Sequence, residues 1–233
     1  MVTARETEMI VKIPSWSFSG MKNFEQCPRQ YHELKVLKNY PQEETEAQLY
    51  GTLFHEAAEY YIRDGTPLPP HFNYVKSTLD NLCSFQGEKL CEYKMALTEN
   101  LEPCEFDAPN VWWRGVADLI IVNRDTSSAK IVDYKTGKSA KYADTGQLEL
   151  MTLALFKYFP EIKKVKAGLL FVVSKDFVKA NYDRTQEAAL WAKWLRSYER
   201  MKLAYHNNVW NPKTSGLCKK HCAVLSCCHN GRN

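Results

Sequence analysis

An α/β fold, a mixed central β-sheet flanked by helices and followed by a cysteine-bearing C-terminal tail, is predicted by three features of this 233-residue sequence. Residues 111–135 read as a β-hairpin, a helical stretch follows it, and the apolar run VKAGLLFVVS follows the helix. A hairpin is antiparallel, whereas an intervening helix permits a parallel crossover to the next strand. The sheet is therefore mixed.

Taken in order, residues 1–14 are polar and read as loose or edge-like. Ser15 and Ser17 then offer N-caps for a helix through SGMKNFEQCPRQYHELKVLK, with Met21, Phe24, Cys27 and Tyr31 on one face and a break or kink at Pro28. A second helical pattern, AQLYGTLFHEAAEYYIRDG, places Leu49, Leu53, Ala57 and Tyr60 on one side and stops at Gly65. The segment TPLPPHFNYVKSTLDNLCSF opens with a proline-rich turn and continues as a helix. LCEYKMALTENLEPCEF alternates enough for a strand. Glu92 lies in that strand, and a structural role is the simpler reading of it.

The hairpin pairs a strand over Val111–Val122 with one over Ala129–Lys135, across the turn formers Asn123–Ser128. Beyond it, TGKSAKYADTG is a loop, and Asp144 or Thr145 caps the helix GQLELMTLALFKYF, which Pro160 closes. VKAGLLFVVS has the continuous apolar character of a central strand covered on both faces. The long helix TQEAALWAKWLRSYERMKLAYHNN carries Trp191, Trp194, Leu195, Tyr198 and Met201 as a core stripe. With no internal repeat or low-complexity linker, residues 1–233 read as a single domain: an N-terminal helical segment (1–45), a core (46–206) and a Cys-rich tail (207–233).

Charges interrupt the hairpin. If Val122 pairs with Ala129, Asp118 falls opposite Asp133, with Cβ atoms about 4.5–5.5 Å apart. Two carboxylates at that distance repel unless one is protonated or a cation lies between them, so a bound metal ion would resolve the conflict. The triplet Asp133-Tyr134-Lys135 means little alone, since a D-x-K arises by chance about once in a chain of this size. A surface hairpin with a salt bridge also explains Asp133 and Lys135, but it leaves Asp118 unexplained inside the apolar run VADLIIV. His55, taken alone, reads as an ordinary helix residue.

Composition bounds the rest. A content of 45% hydrophobic and 12% aromatic residues suffices for a core, and a formal net charge of +4 permits a polyanionic partner without requiring one. No apolar run approaches a membrane span, and MVTARETEMIVKIPSW lacks the apolar core of a signal peptide. A cytoplasmic location follows as the expectation (the host cytoplasm if the chain is phage-encoded), with no membrane partner. Eight cysteines in such a chain argue for reduced thiols or metal ligands rather than disulfides.

These elements resemble the RecB-like branch of the PD-(D/E)XK nuclease superfamily, which includes AddB-type and CRISPR-adaptation exonucleases and has a restriction-endonuclease-like core. The resemblance rests on SFSGMKNFEQCPRQY, GTLFHEAAE, GVADLI, IVDYKTGK and QLELM, in that order over most of the chain. Met151 stands where the last motif usually has tyrosine. The resemblance implies metal ligation by His55, Asp118, Asp133 and the carbonyl of Tyr134, with Lys135 as the catalytic lysine and Gln147 positioning it or the phosphate. Carboxylates suit Mg²⁺ or Mn²⁺, and an imidazole tilts the preference towards Mn²⁺. Arg29, Tyr31, Lys138 and Lys141 are implied strand contacts.

The resemblance further implies a [4Fe-4S] cluster on Cys27, Cys218, Cys222 and Cys228, with Cys227 as the alternative. Zn²⁺ competes as the occupant, because His221 and His229 are interspersed, and a site without metal is a third reading. The implied activity is a metal-dependent DNA exonuclease working at ends or in single strands, in recombination, repair, phage DNA processing or spacer capture. A recombination, helicase or CRISPR-type protein would be its partner. A structure-specific endonuclease, or an idle nucleic-acid-binding adaptor that keeps the fold, are the alternatives.

Overall fold

The computed structural model describes residues 13–41 and 43–231, so the expectation for residues 1–14 lies almost wholly outside the described part. Contacts divide the chain into two compact units. The larger comprises residues 42–193 with 17–19; the smaller comprises residues 20–41 and 194–233 together with the segment ending at Trp16.

The larger unit is built on a five-stranded sheet in the order β1 (Glu88–Leu97), β2 (Trp113–Asn123), β3 (Ser128–Lys135), β4 (Lys164–Phe171) and β5 (Asp176–Asp183). β1–β2, β2–β3 and β4–β5 are antiparallel, and β3–β4 is parallel. The hairpin has the register expected of it: Val122 pairs with Ala129. Asn123 caps the turn by accepting from the Thr126 amide at 3.0 Å. β5 has no counterpart in the sequence reading. Its residues alternate without an apolar face because it is an edge strand with neither side deeply buried.

Helix α5 (Gly146–Tyr158) makes the β3–β4 crossover and is buried nearly all round, from Leu148 to Phe156. That burial explains its almost uniformly apolar sequence. Asp144, rather than Thr145, supplies the cap by accepting from the Gly146 amide at 2.9 Å. At the other end the Arg184 guanidinium donates to the carbonyls of Phe156, Phe159 and Ile162 at 3.0, 2.8 and 2.7 Å, satisfying acceptors that the helix leaves open.

The opposite face of β1–β3 is covered by α3 (Glu46–Asp64) and α4 (Lys76–Ser84). α3 begins with a capping box between Thr45 and Gln48, which the sequence reading did not include, and ends at the expected Gly65, in the left-handed region. Its buried face is Phe54, Ala58 and Ile62, whereas Leu49, Leu53 and Tyr60 are exposed. This corrects the expected face. Two apolar stripes compete on this helix, and the one carrying Phe54 wins because the ring meets Phe72 and Tyr134 edge-on at 5.4 and 5.6 Å. β4 also departs from expectation, since Lys166, near its start, is exposed beside the groove that α4 borders.

In the smaller unit the first helix breaks where Pro28 demanded: α1 (Phe18–Gln26) stops and α2 (Pro28–Tyr31) restarts with proline in its first turn. The Cys27 sulfur accepts from the Gln30 amide at 3.5 Å as the N-cap. Trp16 stacks on Tyr198 at 5.8 Å, and Tyr31 shares a 3.0 Å hydroxyl hydrogen bond with Tyr205. Of the stripe on α6 (Glu187–Asn207), Trp191, Trp194, Tyr198 and Met201 are buried, while Leu195 is not. Among the described residues no helix is long and apolar enough to cross a membrane.

The two stripes of α3 make separable predictions. Phe54→Ala will lower unfolding stability by about 3–5 kcal/mol, whereas Leu53→Ala will stay within about 0.5 kcal/mol of the parent. Urea denaturation of both variants checks this, and equal losses would reverse the assignment of the buried face.

Candidate metal centre and its surroundings

Strand pairing assembles three carboxylates in a row. Cys91 pairs with Leu119 and Tyr93 with Ala117, which sets Glu92 of β1 opposite Asp118 of β2. On the other side Leu119 pairs with Val132, and one further step of the same register sets Asp118 opposite Asp133 of β3. Glu92 interrupts its own ladder with φ of 46°, a left-handed conformation that costs a side-chain-bearing residue about 1–2 kcal/mol. His55 reaches the row from α3: its Nδ1 is 3.4 Å from Asp118 Oδ1 and 3.7 Å from Glu92 Oε1.

The other half of the site lies on the α5 side of β3. Asp133 and Lys135 are two residues apart in the strand and so share a face. Lys135 Nζ is 2.7 Å from Asp133 Oδ2, an ion-pair approach not aligned as a hydrogen bond. The same ammonium donates to Gln147 Oε1 at 3.0 Å, from the first turn of α5. Tyr134 enters through its backbone: its amide donates to Asp118 Oδ2 at 2.6 Å, while its ring packs on Phe54 and His55.

The electrostatics follow from crowding acids where water is scarce. Asp118 is 8% and Asp133 5% exposed. Burial first, and the neighbouring Asp118 charge second, push Asp133 up to about 6 against the opposing pull of Lys135. For His55, burial alone would favour the neutral ring, but hydrogen bonds and charge from Asp118 and Glu92 outweigh it and push it up to about 10.

The donor set fits a divalent cation. His55, Glu92 and Asp118 each offer one ligand atom, all within 4.8 Å of one another. Opposite ligands of a Mg²⁺-sized ion lie about 4.2 Å apart, so slight contraction would close them on one ion. Glu92, for which a structural role was expected, is the residue the sequence reading passed over. The pairing argument that matched Asp118 with Asp133 also matches it with Glu92 once β1 is placed beside β2.

Among the other expected contact residues, Lys138 and Lys141 lie on the loop after β3, where the Lys141 ammonium sits 5.3 Å from the ring of the exposed Tyr142. Tyr142 went unnoticed in the sequence. In the smaller unit Arg29 faces Glu33 at 3.9 Å, whereas Tyr31 is buried and bonded to Tyr205, which leaves its ring no open face for a strand.

The tail contributes a second constellation, wholly within the smaller unit. Among the described residues none of the eight cysteines forms a disulfide. Cys27, Cys218, Cys222 and Cys227 line one small cavity, with Gln30 and His229 at its walls. Cys228, expected as the fourth thiol, is exposed and does not line this cavity; the buried Cys227 takes that place. The sulfurs are met by N–H donors: Lys213 amide to Cys27 at 3.4 Å, Gln30 side chain to Cys222 at 3.7 Å, and Ser215 amide to Cys218 at 3.3 Å. Among the described residues no three of these thiols come within 4.8 Å of one another, unlike the acid–histidine set.

Residues 15–229 match the family model of the PD-(D/E)XK nuclease superfamily. The solved structure of a "Putative exonuclease" from Eubacterium rectale superposes with a TM-score of 0.54 at 14% identity, covering 88% of this chain and 85% of that one. The crystal structure of SSO0001 gives a TM-score of 0.50 at 14% identity over 95% of this chain and 90% of that one. No curated protein matches in sequence. The chain belongs to the PD-(D/E)XK nuclease superfamily, and its five-stranded mixed sheet with flanking helices is the corresponding restriction-endonuclease-like α/β fold.

Replacing the Glu92 carboxylate tests its place in the centre. Glu92→Gln will weaken Mn²⁺ binding by about ten-fold or more while leaving the thermal midpoint of the metal-free protein nearly unchanged. Isothermal titration with Mn²⁺ and a melting curve report both quantities.

Proposed function

We propose that the chain is a divalent-metal-dependent DNA exonuclease of the RecB/AddB-like kind, hydrolysing phosphodiester bonds at DNA ends or in single strands. The observation that carries this reading is the row Glu92–Asp118–Asp133 with His55 at one end and the Lys135–Gln147 pair at the other. Such a set serves phosphoryl chemistry, because it concentrates acceptors for a hard cation beside a lysine that can meet a phosphate. The name of the Eubacterium rectale neighbour agrees with it.

His55, Glu92 and Asp118 would hold the ion, with Asp133 beside them. Bound Mg²⁺ or Mn²⁺ supplies Lewis-acid activation of water and neutralises charge on the scissile phosphate. The chain's own residues do the positioning. Gln147 and Asp133 grip Lys135 from two sides, so its ammonium is already oriented and places one positive charge where phosphate charge grows during attack. Hydrolysis adds water across the P–O bond: its oxygen joins phosphorus, and a proton ends on the departing sugar oxygen. Tyr134 holds Asp118 through its amide, which leaves Asp118 Oδ1 free to face the ion. Lys138, Lys141 and Tyr142, on the following loop, would meet the strand.

For the smaller unit the reading is a [4Fe-4S] cluster on Cys27, Cys218, Cys222 and Cys227. Zinc bonded to sulfur at about 2.3 Å would draw its ligands to about 3.8 Å of each other. The N–H donors aimed at three of these thiols suit a negatively charged sulfur-ligated group. Its role is structural, tying the tail to Cys27 between α1 and α2. A cytoplasmic setting, where thiols stay reduced, fits cysteines that form no disulfide among the described residues.

Two experiments test the pair of readings. With Mg²⁺ or Mn²⁺, end-labelled linear DNA will be degraded and closed circular DNA spared, while Asp133→Ala and Lys135→Ala will each lower the rate by about a hundred-fold or more. Cutting of the circle would make the enzyme an endonuclease. Anaerobically purified protein will show broad visible absorption that Cys27→Ser abolishes. Stoichiometric zinc with a colourless protein would replace the cluster.

A further inference from the structure

A cavity of the larger unit, about 710 Å³, is a groove beside α4, walled by that helix and floored by β3, β4 and β5. None of the residues of the metal centre lines it. Every charged residue that lines it is a lysine: Lys130, Lys166, Lys175 and Lys179. Lysine and aromatic groups alternate along it. The Lys130 ammonium lies 4.4 Å from the Phe85 ring centre, and that of Lys179 lies 5.9 Å from Phe177.

Phe177 is 44% exposed, an uncommon placement for a phenylalanine in a strand. Its ring lies over Gly168 of the adjacent strand, where a Cβ would come within 2.2 Å of the ring. The sheet thus presents one ring face outward with a bare backbone beneath. One end of the groove reaches the catalytic level: the amide of Val172, a lining residue, donates to the Lys135 carbonyl at 2.9 Å.

We propose that this groove binds a single strand of nucleic acid, with bases stacking on Phe177 and phosphates meeting Lys130, Lys166 and Lys179. Apolar floor, exposed ring and lysines with no acidic residue among the groove's lining together match a polyanion that also carries flat rings. An acidic peptide would use the lysines but not the ring. The identity of that strand as substrate DNA rests on the nuclease reading above; the groove itself does not. A strand seated there would extend the enzyme's hold beyond the cleaved bond and round the ends of β3 and β4.

The test uses the full chain in chelator, with fluorescently labelled oligothymidylate followed by anisotropy. The combined variant Lys130→Glu, Lys166→Glu, Lys179→Glu will bind at least about ten-fold more weakly, and its salt dependence will fall by about 2 log units per log unit of salt. Phe177→Ala will weaken binding by about five-fold or more. Both will keep the parent's thermal midpoint and its rate on a dinucleotide too short to reach the groove. Parent-like affinity in both variants overturns the proposal, as does displacement by polyglutamate as effective as by unlabelled oligothymidylate. If the parent cuts DNA while the groove variants bind normally, the groove falls and the nuclease stands. If the parent binds through these residues but cuts nothing with any divalent ion, the reverse holds.

Discussion

Mutual repulsion between acids side by side across three strands is the constraint to which the larger unit answers. Sheet pairing brings Glu92, Asp118 and Asp133 to one level, and the paired backbone cannot let them drift apart. Everything around them supplies positive charge or donors: His55 from α3, Lys135 from β3 and the Tyr134 amide. Burial makes the conflict sharper, because fewer water molecules remain to screen it. The two helices are held where their polar residues are needed by apolar faces that carry no chemistry. Phe54 fixes α3 one residue away from His55, and the buried body of α5 fixes Gln147.

Much of this was legible in the sequence, and for identifiable reasons. The hairpin register followed from its turn residues, and the Asp118–Asp133 opposition followed from the register. Gly65 and Pro28 ended helices where their backbones required. What stayed hidden depended on neighbours that local pattern does not name. α3 carries two apolar stripes, and only the presence of Phe72 and Tyr134 decides between them. β5 is an edge strand whose alternation lacks a buried face, so period-two patterning had nothing to register. Glu92 was readable only after β1 had been docked beside β2 in register. Which of the neighbouring Cys227 and Cys228 faces the thiol cavity is a matter of tail geometry finer than spacing resolves.

The two units use opposite means to reach order. In the larger, a continuous apolar core holds polar groups against their preference. In the smaller, aromatic packing of Trp16, Tyr31, Tyr198 and Tyr205 orders the helices, and the tail after Asn207 joins it through Trp210, stacked on His32 at 4.4 Å, and the buried Val224. Beyond Trp210 the tail's thiols converge on one cavity, with Asn230 donating to the carbonyls of Cys222 and Val224 at 3.1 and 2.9 Å. Soft ligands at one point would cross-link such a short segment to the helices.

Gly168 and Phe177 form a coupled pair over the course of sequence change. The ring occupies the space that any side chain at position 168 would need, so alanine there is compatible only with a smaller or displaced residue at 177. The reverse exchange carries no such penalty, since losing the ring leaves Gly168 merely exposed. A descendant that sheds the ring and then gains a side chain at position 168 must clear that position before regaining it, which makes the loss of the outward-facing ring hard to reverse.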